Sequence, residues 1–282
     1  MNTQAQRVSV HGGHSGQFCG HAQGALEEIV QAYITAGFSW VGITEHMPPR
    51  EERFIYPEEK EAGMGPEHLH LRFASYIDEC RRLQKKYHND LRIFVGMETE
   101  TYRGSVALVR DLVKEFQPDY LVGSVHHVDD MPFDTSPEEY ARVAEALGGH
   151  DRLYCRYFDQ QYEMLVSLKP SVVGHFDIIR LYDPQYRKRL LKKEIVWRIK
   201  RNLDFIAANN LILDFNLRSL IKGADEPYVS LSILEKAFRS GIAVVPGDDS
   251  HGVDTIGRYV DEAVVLLGKS GFSCTWQQPT LL

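Results

Sequence analysis

Only four cysteines occur in 282 residues, and Cys19, Cys80, Cys155 and Cys274 stand too far apart for any CxxC pair. Free thiols in a reducing, cytoplasmic setting are therefore expected. No apolar run is long enough to span a bilayer, and neither a signal peptide nor a membrane partner is expected. No block of Lys or Arg marks a nucleic-acid footprint. The formal charge is −7 and the pI about 5.9, and an acidic surface repels phosphate backbones, so nucleic acid is not an expected partner. No glycine-rich phosphate loop follows the first strand at the spacing that a dinucleotide fold needs. What remains is globular composition, 43% hydrophobic and 25% charged, with length for a large core.

Histidine is what the chain has at telling places. Residues 8–21, V-S-V-H-G-G-H-S-G-Q-F-C-G-H, put His11, His14 and His21 directly after a short β-branched run. Neutral imidazole is the commonest metal ligand, and glycines allow close backbone approach. Cys19, inside the same stretch, is placed where it could touch the site, but is read first as a small packing residue.

Strand and helix signals alternate along the chain. Strands are expected at Arg7–Val10, Trp40–Thr44, Leu91–Val95, Tyr120–Val125, Ser171–Val173, Leu211–Phe215 and Ala243–Val245. Apolar spacing predicts helices over Gln23–Ala36, Glu67–Tyr87, Val106–Phe116, Pro137–Leu147, Asp151–Leu168, Tyr186–Ala208, Val229–Ser240 and Asp254–Leu267. Met47–Pro66 reads as a long irregular connection of the kind that forms lids or binding loops. Strands alternating with helices imply a parallel sheet, and at this length a barrel is favoured over an open doubly wound sheet. The chain is expected to form one α/β domain over residues 1–282.

Nearly every expected strand ends in a potential metal ligand. His11 and His14 follow the first, with His21 beyond; His46 follows the second, Glu98 the third, His126 the fourth and His175 the fifth; Asp249 and His251 follow the seventh. In a parallel α/β barrel these ends converge on one mouth. Nine candidates exceed the four ligands that one zinc takes, and suit two or three divalent ions clustered about 3.5–4 Å apart. Histidine with carboxylate suits Zn, Fe and Mn alike. Glu100 ranks behind Glu98, which directly follows its strand. Asp249 is preferred to Asp248 because it projects to the same side as His251. His127 is expected to face away from its neighbour His126. His68, His70, His88 and His150 are expected at the surface.

The motifs F-C-G-H (18–21), T-E-H-M-P (44–48), G-M-E (96–98), S-V-H (124–126), V-G-H (173–175), L-D-F-N (213–216) and G-D-D-S-H (247–251) stand in one order along the chain. In these the chain resembles the PHP (polymerase and histidinol phosphatase) family, and within it the monofunctional histidinol-phosphatases. The resemblance implies a distorted (β/α)7 TIM-like barrel with up to three metals at its mouth. It also implies hydrolysis of a small phosphomonoester, L-histidinol phosphate, to L-histidinol and phosphate in histidine biosynthesis. On the same ground His11, His14, Glu98 and Asp249 would hold one metal, His126 and His175 a second, and His21, His46 and His251 a third. Glu98 would bridge, and Glu98, Asp249 and His251 would be the catalytic residues.

One departure stands out. The family pattern at the first strand is H-x-H, and here it is H-G-G-H. Residues three apart on a strand face opposite ways, so His11 and His14 can share a site only if Gly12–Gly13 bulge. Phosphate also calls for a cation beyond the metals, and Arg180 and Arg218 are the expected substrate-binding residues, since guanidinium matches phosphate oxygens. A site His or Asp is expected to protonate the leaving alkoxide. The rival readings are a phosphatase for another monoester such as protein phosphotyrosine, a nuclease module, a metal-dependent amidohydrolase, and a metal-binding barrel without chemistry.

Overall fold

The computed structural model describes residues 6–282, so residues 1–5 of the expected span lie outside the described residues. Strands at Arg7–Ser9, Phe38–Ile43, Arg92–Thr99, Tyr120–Gly123, Val172–Val173, Ile212–Asn216 and Ala243–Gly247 pair in that order into one seven-stranded sheet. All of these pairings are parallel. Each strand returns to the same end of the sheet through at least one helix, as parallel pairing requires. Helices and sheet share one apolar core reaching from Val8 to Trp276. Strands covered on both faces read as continuous apolar runs rather than alternating ones. Ile212–Asn216 is buried at every position, including its two polar residues, Asp214 and Asn216.

The first and last strands meet at the mouth. Val10 N donates to the Pro246 carbonyl at 2.9 Å, Asp249 N to the His11 carbonyl at 2.9 Å, and His14 N to the Ser250 carbonyl at 2.7 Å. The sheet thus comes close to closing as the expected distorted (β/α)7 barrel, and the closing bonds are made by residues that flank or form the histidine cluster. From within, the Tyr120 hydroxyl donates to the Val10 carbonyl at 2.7 Å.

Several boundaries differ from expectation, each for a tertiary reason. The third strand runs on to Thr99, so Glu98 lies within it, opposite Val122 of the next strand. The helix expected over Tyr186–Ala208 splits into Tyr186–Arg189 and Lys193–Ala208, where Arg189 and Lys192 both turn to Asp151. The helix expected from Val229 begins at Leu231, because Tyr228 bridges to Asn216. The last helix is Val260–Lys269, preceded by a single 3-10 turn at Val253–Thr255. Short pieces escaped the periodicity altogether. They are a helix at Pro57–Glu61, a helix at Arg218–Ile221, and a hairpin pairing His127–Val128 with Met131–Pro132. Among the described residues no helix is long and apolar enough to cross a membrane.

Candidate metal centre

The candidate ligands leave the strand ends on short, tightly bent segments. His175 and Asp249 sit two residues beyond their strands with φ of 21° and 44°, left-handed values that a non-glycine residue holds only when its surroundings enforce them. After Ser9 the first strand stops, and Gly12–Gly13 carry the chain past its neighbours. A Cβ at Gly12 would overlap the Gly42 carbonyl oxygen, and one at Gly13 would press on Ile29 and Tyr33. The two glycines let the backbone hug the second strand and the first helix, and both His11 and His14 reach the centre. The one-residue excess over H-x-H is absorbed in this irregular segment.

Distances centre on Glu98. His175 Nε2 lies 2.9 Å from Oε1 and His126 Nε2 3.4 Å from it, while His11 Nε2 and His46 Nδ1 each lie 3.3 Å from Oε2. His14 Nε2 stands 3.4 Å from Asp249 Oδ1 and 3.8 Å from Glu98 Oε2. His11 Nε2, His14 Nε2 and His46 Nδ1 are nevertheless buried without a hydrogen-bond partner. Two donors about 2.1 Å from a shared ion stand roughly 3–3.5 Å apart, so these orphaned nitrogens and carboxylates fit divalent cations between them. Four groups have donor atoms within 4.8 Å of one another: His11, His14 and Asp249; His11, Glu98 and His175; His46, Glu100 and His126; and His14, Cys19, His46 and His251.

All of the expected ligands except His21 fall in these groups. His21 stands beside them, its ring 5.0 Å from His251 and 5.5 Å from His46. Its nitrogens are occupied, Nδ1 at 2.9 Å from Glu58 Oε1 and Nε2 at 3.3 Å from Cys19 Sγ. Cys19 is therefore part of the cluster, not the plain packing residue expected. Burial favours its neutral thiol, but His14 and His21 outweigh that and bring it down to about 6.

Electrostatics follow the same geometry. Burial by itself would raise the Glu98 carboxyl, yet the fields of His11 and His46 hold it well below the usual range. Asp249 is held down in the same way, against burial, by His11 and His14. Burial in turn would lower His11, His14 and His126, but facing carboxylates, led by Glu98, Asp249 and Glu100 respectively, hold all three well above the ordinary value.

A layer of carboxylates orients the imidazoles. His11 Nδ1 bonds Asp214 Oδ2 at 2.9 Å, His14 Nδ1 bonds Glu45 Oε2 at 3.1 Å, and His126 Nδ1 bonds Glu100 Oε2 at 2.9 Å. Such partners set the tautomer and aim the other nitrogen. Asp214 and Glu45 were missed by sequence reasoning, although L-D-F-N and T-E-H were in view: a carboxylate inside a strand motif carries no mark of its partner. Glu100 lies closer to the centre than its second rank implied. Asp248 turns away, as expected, accepting from Ser9 Oγ at 2.6 Å and Tyr33 OH at 2.7 Å. His127 lies outside the four groups, its ring edge-on to Phe54 and Tyr102.

Above the cluster opens a cavity of about 510 Å³, lined by His21, His46, Glu98, His126, His175, Asp249 and His251 together with Arg218 and Lys222. Arg180, expected to face a phosphate, does not line it. Its guanidinium donates to the Glu226 and Pro227 carbonyls, each at 2.7 Å, and lies against the Tyr228 ring. With Nε 3.4 Å from Asp177, it braces the loop that carries Tyr228. Lys222, one turn beyond Arg218, is a cation that sequence reasoning did not single out.

Comparison with known proteins gives concordant results. The family model described as "PHP domain" matches residues 12–218. The "Probable histidinol-phosphatase" of Schizosaccharomyces pombe is 37% identical over 270 residues, covering 94% of this chain and 87% of that protein. The "Histidinol-phosphatase" of Saccharomyces cerevisiae is 29% identical, covering 89% and 85%. Among solved structures, a Listeria monocytogenes protein assigned as a histidinol phosphatase superposes with a TM-score of 0.77 at 25% identity, covering 89% of this chain and 98% of that one. A match to three quarters of the chain, together with a relative above 30% identity along nearly all of it, shows that the chain belongs to the PHP domain family.

Proposed function

We propose that this chain is a phosphomonoesterase dependent on divalent metal that hydrolyses L-histidinol phosphate to L-histidinol and phosphate, a step of histidine biosynthesis. The observation that carries the reading is the convergence of orphaned imidazole nitrogens and carboxylates on the floor of a cavity whose wall presents Arg218 and Lys222. The names of the S. pombe and S. cerevisiae relatives supply the substrate.

In this reading His11, His14, Glu98 and Asp249 hold one ion, His126 and His175 with Glu98 a second, and His46 and His251 with the adjoining His21 a third; Glu98 and Asp249 are catalytic through this binding. Zn, Mn or Fe in such a site lowers the pKa of water and neutralises phosphate charge. The chain's own residues do the rest. Asp214, Glu45 and Glu100 hold three imidazoles in their working tautomers. Arg218 binds the phosphate oxygens by charge-assisted hydrogen bonds. His251 donates from Nδ1 to the Asp249 carbonyl at 2.9 Å, and burial together with His14 keeps its ring neutral, which leaves Nε2 free as a lone-pair donor at the cavity wall.

The test is phosphate release from a panel of phosphomonoesters after reconstitution with Zn, Mn or Fe. L-Histidinol phosphate is expected to turn over fastest, with activity lost on chelation and restored by metal. Faster hydrolysis of phosphotyrosine peptides would assign the site to the other phosphatase class.

A further inference from the structure

Four carboxylates line the cavity: Glu58, Glu98, Asp134 and Asp249. Three are engaged. Glu58 holds His21, Glu98 is ringed by imidazoles, and Asp249 faces His14 while accepting from Asn216 Nδ2 at 3.1 Å. Asp134 differs: its Oδ1 is enclosed and has no hydrogen-bond partner. Leaving a buried acceptor unsatisfied is costly, and more so when it is charged. Asp134 also lines the cavity and is only partly buried, so of the four carboxylates it is the one left for a donor that arrives from outside.

The segment carrying it is fixed. Phe133 is fully buried, and its N–H donates to the His126 carbonyl at 3.2 Å. The Tyr182 hydroxyl donates to the Asp134 carbonyl at 3.3 Å, and Ser136 caps the following helix by accepting from Glu139 N. Asp134 is thereby tied to the backbone of a candidate ligand. The same cavity presents Arg218 and Lys222, so its lining carries cations and one unengaged anion around the cluster. That arrangement matches a monoester with a phosphate at one end and a cation a few ångströms away.

We propose that Asp134 is the ammonium subsite of this enzyme, selecting phosphomonoesters that carry a protonated amine on the carbon next to the ester-bearing carbon. The assignment deepens the histidinol-phosphate reading, whose substrate has an amine at that position. Glu98 and Asp249 cannot serve, because imidazoles already share their charge.

The experiment compares phosphate release from 2-aminoethyl phosphate and propyl phosphate, which differ only in ammonium against methyl, by the metal-reconstituted wild type, Asp134→Asn and Asp134→Glu. Wild type is expected to favour 2-aminoethyl phosphate in kcat/KM by about 10- to 100-fold, the worth of a hydrogen bond to a charged group. Asp134→Asn should erase that preference through KM, leave propyl phosphate turnover and bound metal unchanged, and Asp134→Glu should restore part of it. A preference that survives in Asp134→Asn, its absence from wild type, or an equal loss on both substrates would each overturn the assignment. L-Histidinol phosphate runs as a third substrate: if it is not hydrolysed while the ammonium preference holds, the histidinol reading fails and the subsite stands.

Discussion

The floor and the rim of the cavity use the same kinds of side chain under opposite conditions. On the floor, His11, His14, Glu98, His175 and Asp214 are at most 2% exposed. They sit within or just beyond strands whose positions the barrel dictates. On the rim, Arg218, Lys222, His21 and Asp134 sit on a four-residue helix, its end and loops, all partly open to solvent. Charges withdrawn from water interact strongly and cannot be left unpaired, whereas exposed ones are screened. In the proposed reading the floor therefore holds metal, and the rim is where affinity for substrate is tuned. The two arginines draw the line sharply: buried Arg180 is consumed by backbone carbonyls, and Arg218 at the rim remains available.

The largest break in that contrast should come from Glu98→Gln. Removing one partner of a buried charged set costs about 3–5 kcal/mol, so metal affinity should fall on the order of 10²- to 10³-fold, read by equilibrium dialysis with metal analysis. Retention of wild-type metal would mean that Glu98 is not shared between the clusters. Asp214→Asn tests whether the orienting layer belongs to the floor. It keeps the shape but loses the carboxylate on His11, and metal affinity should drop about 10- to 100-fold.

Arg218→Ala should lower kcat/KM about 10- to 100-fold with metal content unchanged, as expected for losing a charge-assisted hydrogen bond made only to substrate. Arg180→Ala should instead lower the melting temperature, because Asp177 and two carbonyls lose their buried partner. If the two variants behaved alike, the distinction between rim and brace would be wrong.

The smallest effect per step is that of pH. His11, His14 and His126 hold protons to well above the ordinary imidazole value when no metal is bound. A metal must displace those protons, so affinity should rise with pH by up to about tenfold per unit for each proton released. The metal-free protein should behave in the opposite way. Raised imidazoles stabilise it fully below their unfolded value of about 6.5 and cease to do so as pH climbs through the folded one. On the acid side, the lowered Glu98 and Asp249 withdraw their stabilisation as they protonate. Thermal melts with and without Zn across pH should therefore diverge as pH rises; parallel curves would mean that protons and metal do not compete for this site.

The sequence by itself determined the barrel and most of the floor. Seven apolar runs, each returned by a helical pattern, allow little but a parallel sheet with its ends gathered, and a ligand at the end of a strand needs no further information to be brought to the mouth. The resemblance carried by those strand-end motifs points to the same reaction. Tertiary structure decided the partners. That Asp214 serves His11 and Glu45 serves His14 depends on strands placed side by side, and nothing in their local sequence marks them as imidazole partners any more than it marks Asp248, which serves Ser9 and Tyr33 instead. The H-G-G-H spacing required the strand's alternation to break at Gly12–Gly13; the strand in fact ends at Ser9, and packing against Gly42 and Ile29 lets both neighbouring histidines turn inward. Arg180 and Arg218 each follow a strand-end motif, and a loop whose first residue, Glu226, lies 46 residues beyond Arg180 consumed that arginine and left Arg218 free of its carbonyls. Side-chain type is local, whereas the pairing of a buried charge is a property of everything that folds around it.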